Sequence, residues 1–220
     1  MLSNKLFIQL PNKCFHNGSK EQEELYSNLT TTELKLVFSL LARATLLRHV
    51  NEENQHQTTF NVPLTKLQSR DSLFYKLKKS KKQIIDMVDN IKHPYLSFQY
   101  ENDDCINFTL NKKYILALAS LEKNALIDLA DLMPYRSLSS IKLHLQLSYF
   151  PTYSLPLNFA LNFLSVSKNQ SRKEQIRSIK NKINTVSIMG SFKYHFPHRD
   201  GQTRTKKDYS FDIHRIKKPS

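Results

Sequence analysis

Two stretches of this chain spell out the same succession of structural signals, and that repetition constrains the fold more than any single motif. In the first stretch, Thr30-Thr31-Thr32-Glu33 supplies hydroxyls able to cap a helix start, with an acid in the first turn. Leu34, Val37, Phe38, Leu41 and Ala44 then recur at helical period, and Leu36, Leu40 and Leu47 form a second apolar row, so this helix should be deeply buried. A polar loop, a β-prone run from Thr58 to Val62 and a brief helix opened by Pro63 follow. Residues 72 to 91 read as one amphipathic helix with Leu73, Leu77, Ile84, Val88 and Ile91 on its apolar stripe. Tyr75, Lys78, Lys79 and Lys82 lie opposite. YLSFQY, the turn residues ENDD and CINFTL close the stretch as a hairpin.

The second stretch begins at SLSSIKLHLQLSYF, residues 137 to 150, read as a helix although its alternation also suits a strand. After Leu155-Pro156 comes a short apolar segment, LNFALNFLSV, and then SRKEQIRSIKNKINTV, residues 171 to 186. On a helical wheel Ile176, Ile179, Ile183 and Val186 share one narrow sector. Lys173, Arg177, Lys180 and Asn184 share another, with Asn181 beside them. SFKYHF and DYSFDIHRI, alternating with period two around a loop that contains Asp200-Gly201, form a second hairpin. The shared order is helix, short linking elements, basic amphipathic helix, hairpin. It predicts an α+β protein of two tandem winged-helix domains, residues 1–123 and 124–220. Between them, Lys112 to Arg136 is apolar enough to pack rather than to act as a loose linker.

Charge decides what such a chain meets. Lys plus Arg is 33 against 19 acids, a net +14, which favours nucleic acid first and an anionic membrane surface second. From Asn169 to Ser220 there are 13 Lys/Arg and 4 Asp/Glu, so a net +9 is concentrated in one part of the chain, as expected of a binding surface. No apolar run approaches the roughly 20 residues a bilayer span needs, and the N-terminus lacks a signal-like apolar block. Cys14 and Cys105 have no paired spacing, in keeping with a reduced cytoplasmic protein. Only three glycines occur, well separated, which excludes a recognisable phosphate-cradling loop and the common nucleotide-driven enzymes.

Histidines test the enzymatic alternatives. His195, His198 and His214 lack cysteine or acidic partners at ligand spacing, so no metal site and no cofactor are expected. A rolling-circle nicking enzyme needs two histidines flanking one apolar residue plus a nucleophilic tyrosine. His195-Phe196-Pro197-His198 has two residues between them. The candidate DNA contacts are Arg177 and Asn181 as base readers, with Lys173, Lys180 and Lys182 on phosphates and Asn184 on the same face. Lys78, Lys79 and Lys82 of the first basic helix are placed on phosphates. Arg199, Arg204, Lys206 and Lys207 of the second wing, with His198, suit phosphates or an A·T-rich minor groove.

PYRSLSSIKLHLQLSYF, IRSIKNKINTVSIMGSFKYHF and DYSFDIHRIKK resemble, in that order, three segments of the Rep replication initiators of theta-replicating bacterial plasmids. These are the start of the second winged domain, its recognition helix and its closing hairpin. Lys142-Leu143-His144 stands where the family has an Arg-Leu-Tyr run, and the doubled element order extends the resemblance over roughly residues 28 to 218. The resemblance implies a non-enzymatic protein that binds repeated double-stranded origin sites, initiates replication as a monomer and represses its own gene as a dimer. It also implies a dimer interface in the first domain and recruitment of a host initiator and helicase. A winged-helix transcriptional repressor and, less favoured, a nicking initiator are the alternatives.

Overall fold

The computed structural model describes residues 5–50, 56–70, 72–99, 104–119, 124–186, 189–195 and 209–215; for Val50, Lys76 and residues 189–195 it describes the backbone alone. The chain divides into two compact units, Met1–Pro134 and Tyr135–Ser220.

The first unit opens with strand β1 (Phe7–Leu10), a 3-10 turn (Asn12–Phe15) and helix α1 (Lys20–Tyr26). Helix α2 (Thr31–Val50) follows. Thr30 Oγ1 accepts from the Glu33 amide at 3.3 Å while Glu33 accepts from the Thr30 amide at 2.7 Å, the reciprocal cap expected of that hydroxyl-rich start. Leu34, Leu36, Val37, Phe38, Leu40 and Leu41 are all sealed, which makes α2 the central rod of this unit; Leu47, near its end, is exposed. Strand β2 (Thr59–Pro63), helix α3 (Leu64–Leu67), helix α4 (Lys81–Asn90) and strands β3 (Leu96–Gln99) and β4 (Cys105–Leu110) complete the winged module. The sheet order is β2-β4-β3, all antiparallel. Phe60 pairs with Phe108 across β2 and β4, their rings stacked 5.4 Å apart.

Helix α5 (Lys112–Leu118) and strand β5 (Ala125–Asp128) lie beyond the wing. β5 pairs antiparallel with β1, from Phe7↔Asp128 to Leu10↔Ala125, and the Tyr114 hydroxyl donates to the Gln9 carbonyl. The segment between the modules does pack, but its strand and following 3-10 turn (Leu129–Leu132) belong to the first unit. The boundary therefore falls after Pro134 rather than after residue 123, because a strand pairing with the opening of the chain carries residues 124–134 with it.

A second correction concerns residues 72 to 91, which do not form one helix. Ser72 Oγ accepts from the Phe74 amide, a 3-10 turn spans Tyr75–Leu77, and Lys78 adopts the left-handed region at φ 46°. Ser80 then caps α4 in a reciprocal box with Gln83. Leu73 and Phe74 are buried from the turn, so their helical spacing to Ile84 is a coincidence of packing.

The second unit repeats the module without the additions. Helix α6 (Leu138–Tyr149) is followed by strand β6 (Thr152–Pro156), helix α7 (Leu157–Phe163) and helix α8 (Arg172–Ile183). Strands β7 (Met189–His195) and β8 (Ser210–Arg215) form its wing. The sheet order β6-β8-β7 reproduces that of the first unit. Helix α6 is sealed on every side from Ser139 to Leu147, which explains why its apolar residues carry no decisive period. The repetition reaches individual residues. β2 reads TFNVP and β6 TYSLP, each burying its second and fourth side chains. Each strand ends in a proline, which donates no ladder bond, and the following leucine amide donates instead to the residue just before the second wing strand. Leu64 donates to Asp104 at 2.9 Å and Leu157 to Tyr209 at 2.7 Å.

His93 gives the first unit a pH dependence. Its buried ring accepts from the Tyr95 amide at Nδ1, 3.2 Å, and faces the Leu25 carbonyl through Nε2 at 3.4 Å, which requires the neutral Nε2–H tautomer. Burial pushes its pKa down to about 4, against the weaker opposing pull of the Leu25 carbonyl and Glu24. The unfolded chain binds this proton from about pH 6.5 downward and the folded unit only near pH 4. Stability contributed by neutral His93 is present above pH 6.5 and lost as pH falls to 4, by up to about 3 kcal/mol. Denaturant titrations across this window should show that fall in the native chain and a shallower one in His93→Gln.

Candidate nucleic-acid interface

The second unit fixes α8 by a polar network with α6. Ser171 caps α8: its Oγ accepts from the Glu174 amide at 3.4 Å, and Glu174 accepts from the Ser171 amide at 3.0 Å. This ties the one acid of the helix back to its own N-terminus. The turn from α7 passes through Ser165 in the left-handed region, φ 53°. The buried Gln175 side chain bridges that turn, donating to the Ser167 and Lys168 carbonyls at 3.4 and 3.1 Å. From α6, Ser139 Oγ donates to the Leu164 carbonyl at 3.0 Å and Lys142 Nζ to the Phe163 carbonyl at 3.0 Å. A cation suits the negative end of α7, and burial pushes the Lys142 pKa down to about 8. At the other end of α8, Lys182 Nζ donates to Ser139 Oγ at 3.1 Å, and Ser140 and Thr185 hydroxyls meet at 2.7 Å. Ser139 thus joins both helices of the helix-turn-helix to α6.

The faces of α8 divide accordingly. Ile179, Ile183 and, just past the helix, Val186 are buried. Ile176, expected on the same stripe, is only half-buried, because the sealed face runs through Gln175 instead. Lys173, Arg177, Asn181 and the C-cap Asn184 are exposed in one row at i, i+4, i+8, i+11. Lys180 and Lys182 are half-buried, and Lys182 is drawn inward by Ser139, so it is a structural tie as well as a charge. Over the whole helix five cations face one acid, a net +4.

α4 occupies the equivalent place in the first unit and differs electrostatically. It buries Ile84 and Val88 and exposes Lys81, Lys82, Asp86 and Asp89, a net of zero. Lys81 Nζ lies 2.6 Å from Asp104. Of the candidate residues, Lys82 sits in the first turn of α4, whereas Lys78 and Lys79 precede it; Lys78 is exposed and Lys79 half-buried. The cations Arg199, Arg204, Lys206 and Lys207 of the second wing, and His198, lie outside the described residues, as do the side chains of His195 and its neighbours on β7. His214 lies 3.3 Å from Thr152 Oγ1, and among the described residues no group of three His, Cys, Asp or Glu could hold a metal ion. No described helix is long and apolar enough to cross a membrane.

Sequence periodicity overlooked Arg172. It lies within the apolar sector, in line with Ile176, Ile179 and Ile183, and the fold brings its guanidinium over the Tyr209 ring, 3.7 Å from the centroid.

No protein-family profile matches the chain, and no curated protein matches it. Among solved structures it is similar to the Pi initiator protein, determined in complex with iteron DNA. The TM-score is 0.55 and the identity 11%, with 99% of this chain and 100% of that chain covered. At that identity the likeness is one of fold, and it extends over both units. The resemblance to plasmid replication initiators read from the sequence is thereby met, in fold, along the whole chain.

Proposed function

We propose that this protein is a plasmid replication initiator that binds repeated duplex sites of the iteron kind through its second winged-helix unit. The observation that carries the reading is the exposed row Lys173, Arg177, Asn181 and Asn184 on a helix whose other faces are fixed by Gln175, Ile179, Ile183 and Ser139. Arginine and asparagine match guanine and adenine edges in a major groove, and the flanking lysines match phosphates. A rigid seat matters because base readout depends on placement to within a fraction of an ångström. The fold shared with a protein solved on iteron DNA supports the same reading.

The first unit adds phosphate contacts from Lys78, Lys79 and Lys82 and serves in dimer formation. The monomer initiates, with a host initiator and helicase as partners, and the dimer represses the gene. The reading assigns no catalytic step and no cofactor, and places the protein in the cytoplasm. Footprinting on the DNA that flanks the gene tests it: protected direct repeats spaced by about two helical turns are expected. Protection of a single inverted repeat over a promoter would favour a repressor instead, and an unprotected flank would defeat both.

A further inference from the structure

We propose that Arg172, stacked on Tyr209, is a DNA-phosphate contact of the second unit, and that Asp104 cancels the equivalent cation in the first. The inference rests on the DNA-binding reading above and sharpens it by locating an asymmetry between two otherwise matching modules.

The equivalence follows from the backbone. Lys81 and Arg172 are each the first residue of the basic helix, directly after a capping serine in a reciprocal box, Ser80 with Gln83 and Ser171 with Glu174. Asp104 and Tyr209 each stand immediately before the second wing strand, and each accepts the amide of the leucine that follows the strand-ending proline. The same two backbone positions therefore face each other in both units, filled by a Lys–Asp pair in one and an Arg–Tyr pair in the other.

The chemistry of the pairs differs. Lys81 and Asp104 sum to zero charge at 2.6 Å. Arg172 meets an aromatic face, which holds the guanidinium by cation–π attraction and stacking but leaves its charge whole. Its Nε and Nη2, the two donors of the fork edge, are shielded from solvent and have no hydrogen-bond acceptor. Glu174, the acid of the same turn, is tied to the Ser171 amide and hydroxyl. An arginine without an acceptor, placed where the recognition helix meets the wing, has the donor set a phosphate needs. Stacking fixes the plane of the group but not its rotation within that plane, so the fork can turn outward and keep the ring.

A phosphate contact does not depend on base sequence, so a mixed-sequence duplex of about 30 base pairs is a sufficient probe, titrated over a range of salt. Native protein should bind with a steep slope of log K against log salt. Arg172→Gln should make that slope shallower by about 0.9 and weaken binding roughly tenfold near 0.1 M salt, with thermal unfolding showing the variant folded. Arg172→Met, which keeps the stem on the ring, is the second uncharged variant if Arg172→Gln does not fold. Arg172→Lys should restore the slope. Asp104→Asn should steepen it by about 0.9, since Lys81 is released. A steep native slope left unchanged by folded Arg172→Gln or Arg172→Met overturns the Arg172 assignment. A slope unchanged or shallower in Asp104→Asn overturns the role of Asp104. A flat native slope would instead remove the DNA-binding reading itself.

Discussion

Ile179→Ala should lower the stability of the second unit by about 2–5 kcal/mol, the usual cost of removing a buried branched side chain and leaving a cavity. Ile179 is fully sealed on α8, one turn from the equally sealed Ile183, and the polar ties around it cannot follow a collapsing core. Ser139 is committed to the Leu164 carbonyl and to Lys182, and Gln175 to the interhelical turn, so α8 has little freedom to settle inward. The cavity should therefore stay open, placing the loss toward the upper part of that range. Denaturant unfolding followed by a signal from the second unit measures it. DNA affinity corrected for the folded fraction should remain near the native value, because the exposed row is carried on the same backbone. A loss below about 1 kcal/mol would mean that α8 is seated by its polar ties alone.

The parts of the fold legible in the sequence were those with dense local signals. Both hairpins announced themselves by alternation on either side of turn residues, and β4 and β8 occupy those runs. The capping hydroxyl before α2 did the same for a helix start. What stayed illegible depended on distant partners. β1 and β5 are four residues each, too short for a period to show, and exist because each supplies the other's ladder. The start of α4 was obscured because Leu73 and Leu77 continue the spacing of Ile84 and Val88 through a turn that is not helical, although Ser80-x-x-Gln83 is itself a start signal. Arg172 shows the same limit within the candidate interface. Its neighbours Lys173 and Arg177 could be assigned from the wheel, but the partner that gives Arg172 its geometry lies across the unit at the base of the wing.

Arg177→Ala and Lys173→Ala should separate base reading from phosphate binding along one exposed row. Both side chains are exposed on α8, four residues apart, so neither truncation opens a cavity and thermal unfolding should hardly move. Arg177 lies mid-helix, one turn before Asn181, where a helix seated in a major groove brings side chains to base edges. Lys173 is in the first turn, nearer the strands that border the groove. Arg177→Ala should then cost about 1–3 kcal/mol on the protected repeat and much less on random duplex, since a base contact carries sequence preference. Lys173→Ala should weaken both duplexes alike and make the salt slope shallower by about one unit. The deciding comparison is Arg177→Ala on the two duplexes at one fixed salt concentration. Equal losses would reassign Arg177 to the phosphate backbone and leave Asn181 as the base reader. No loss on either would make the outer face of α8 a solvated surface, and the cationic wing would then have to supply recognition.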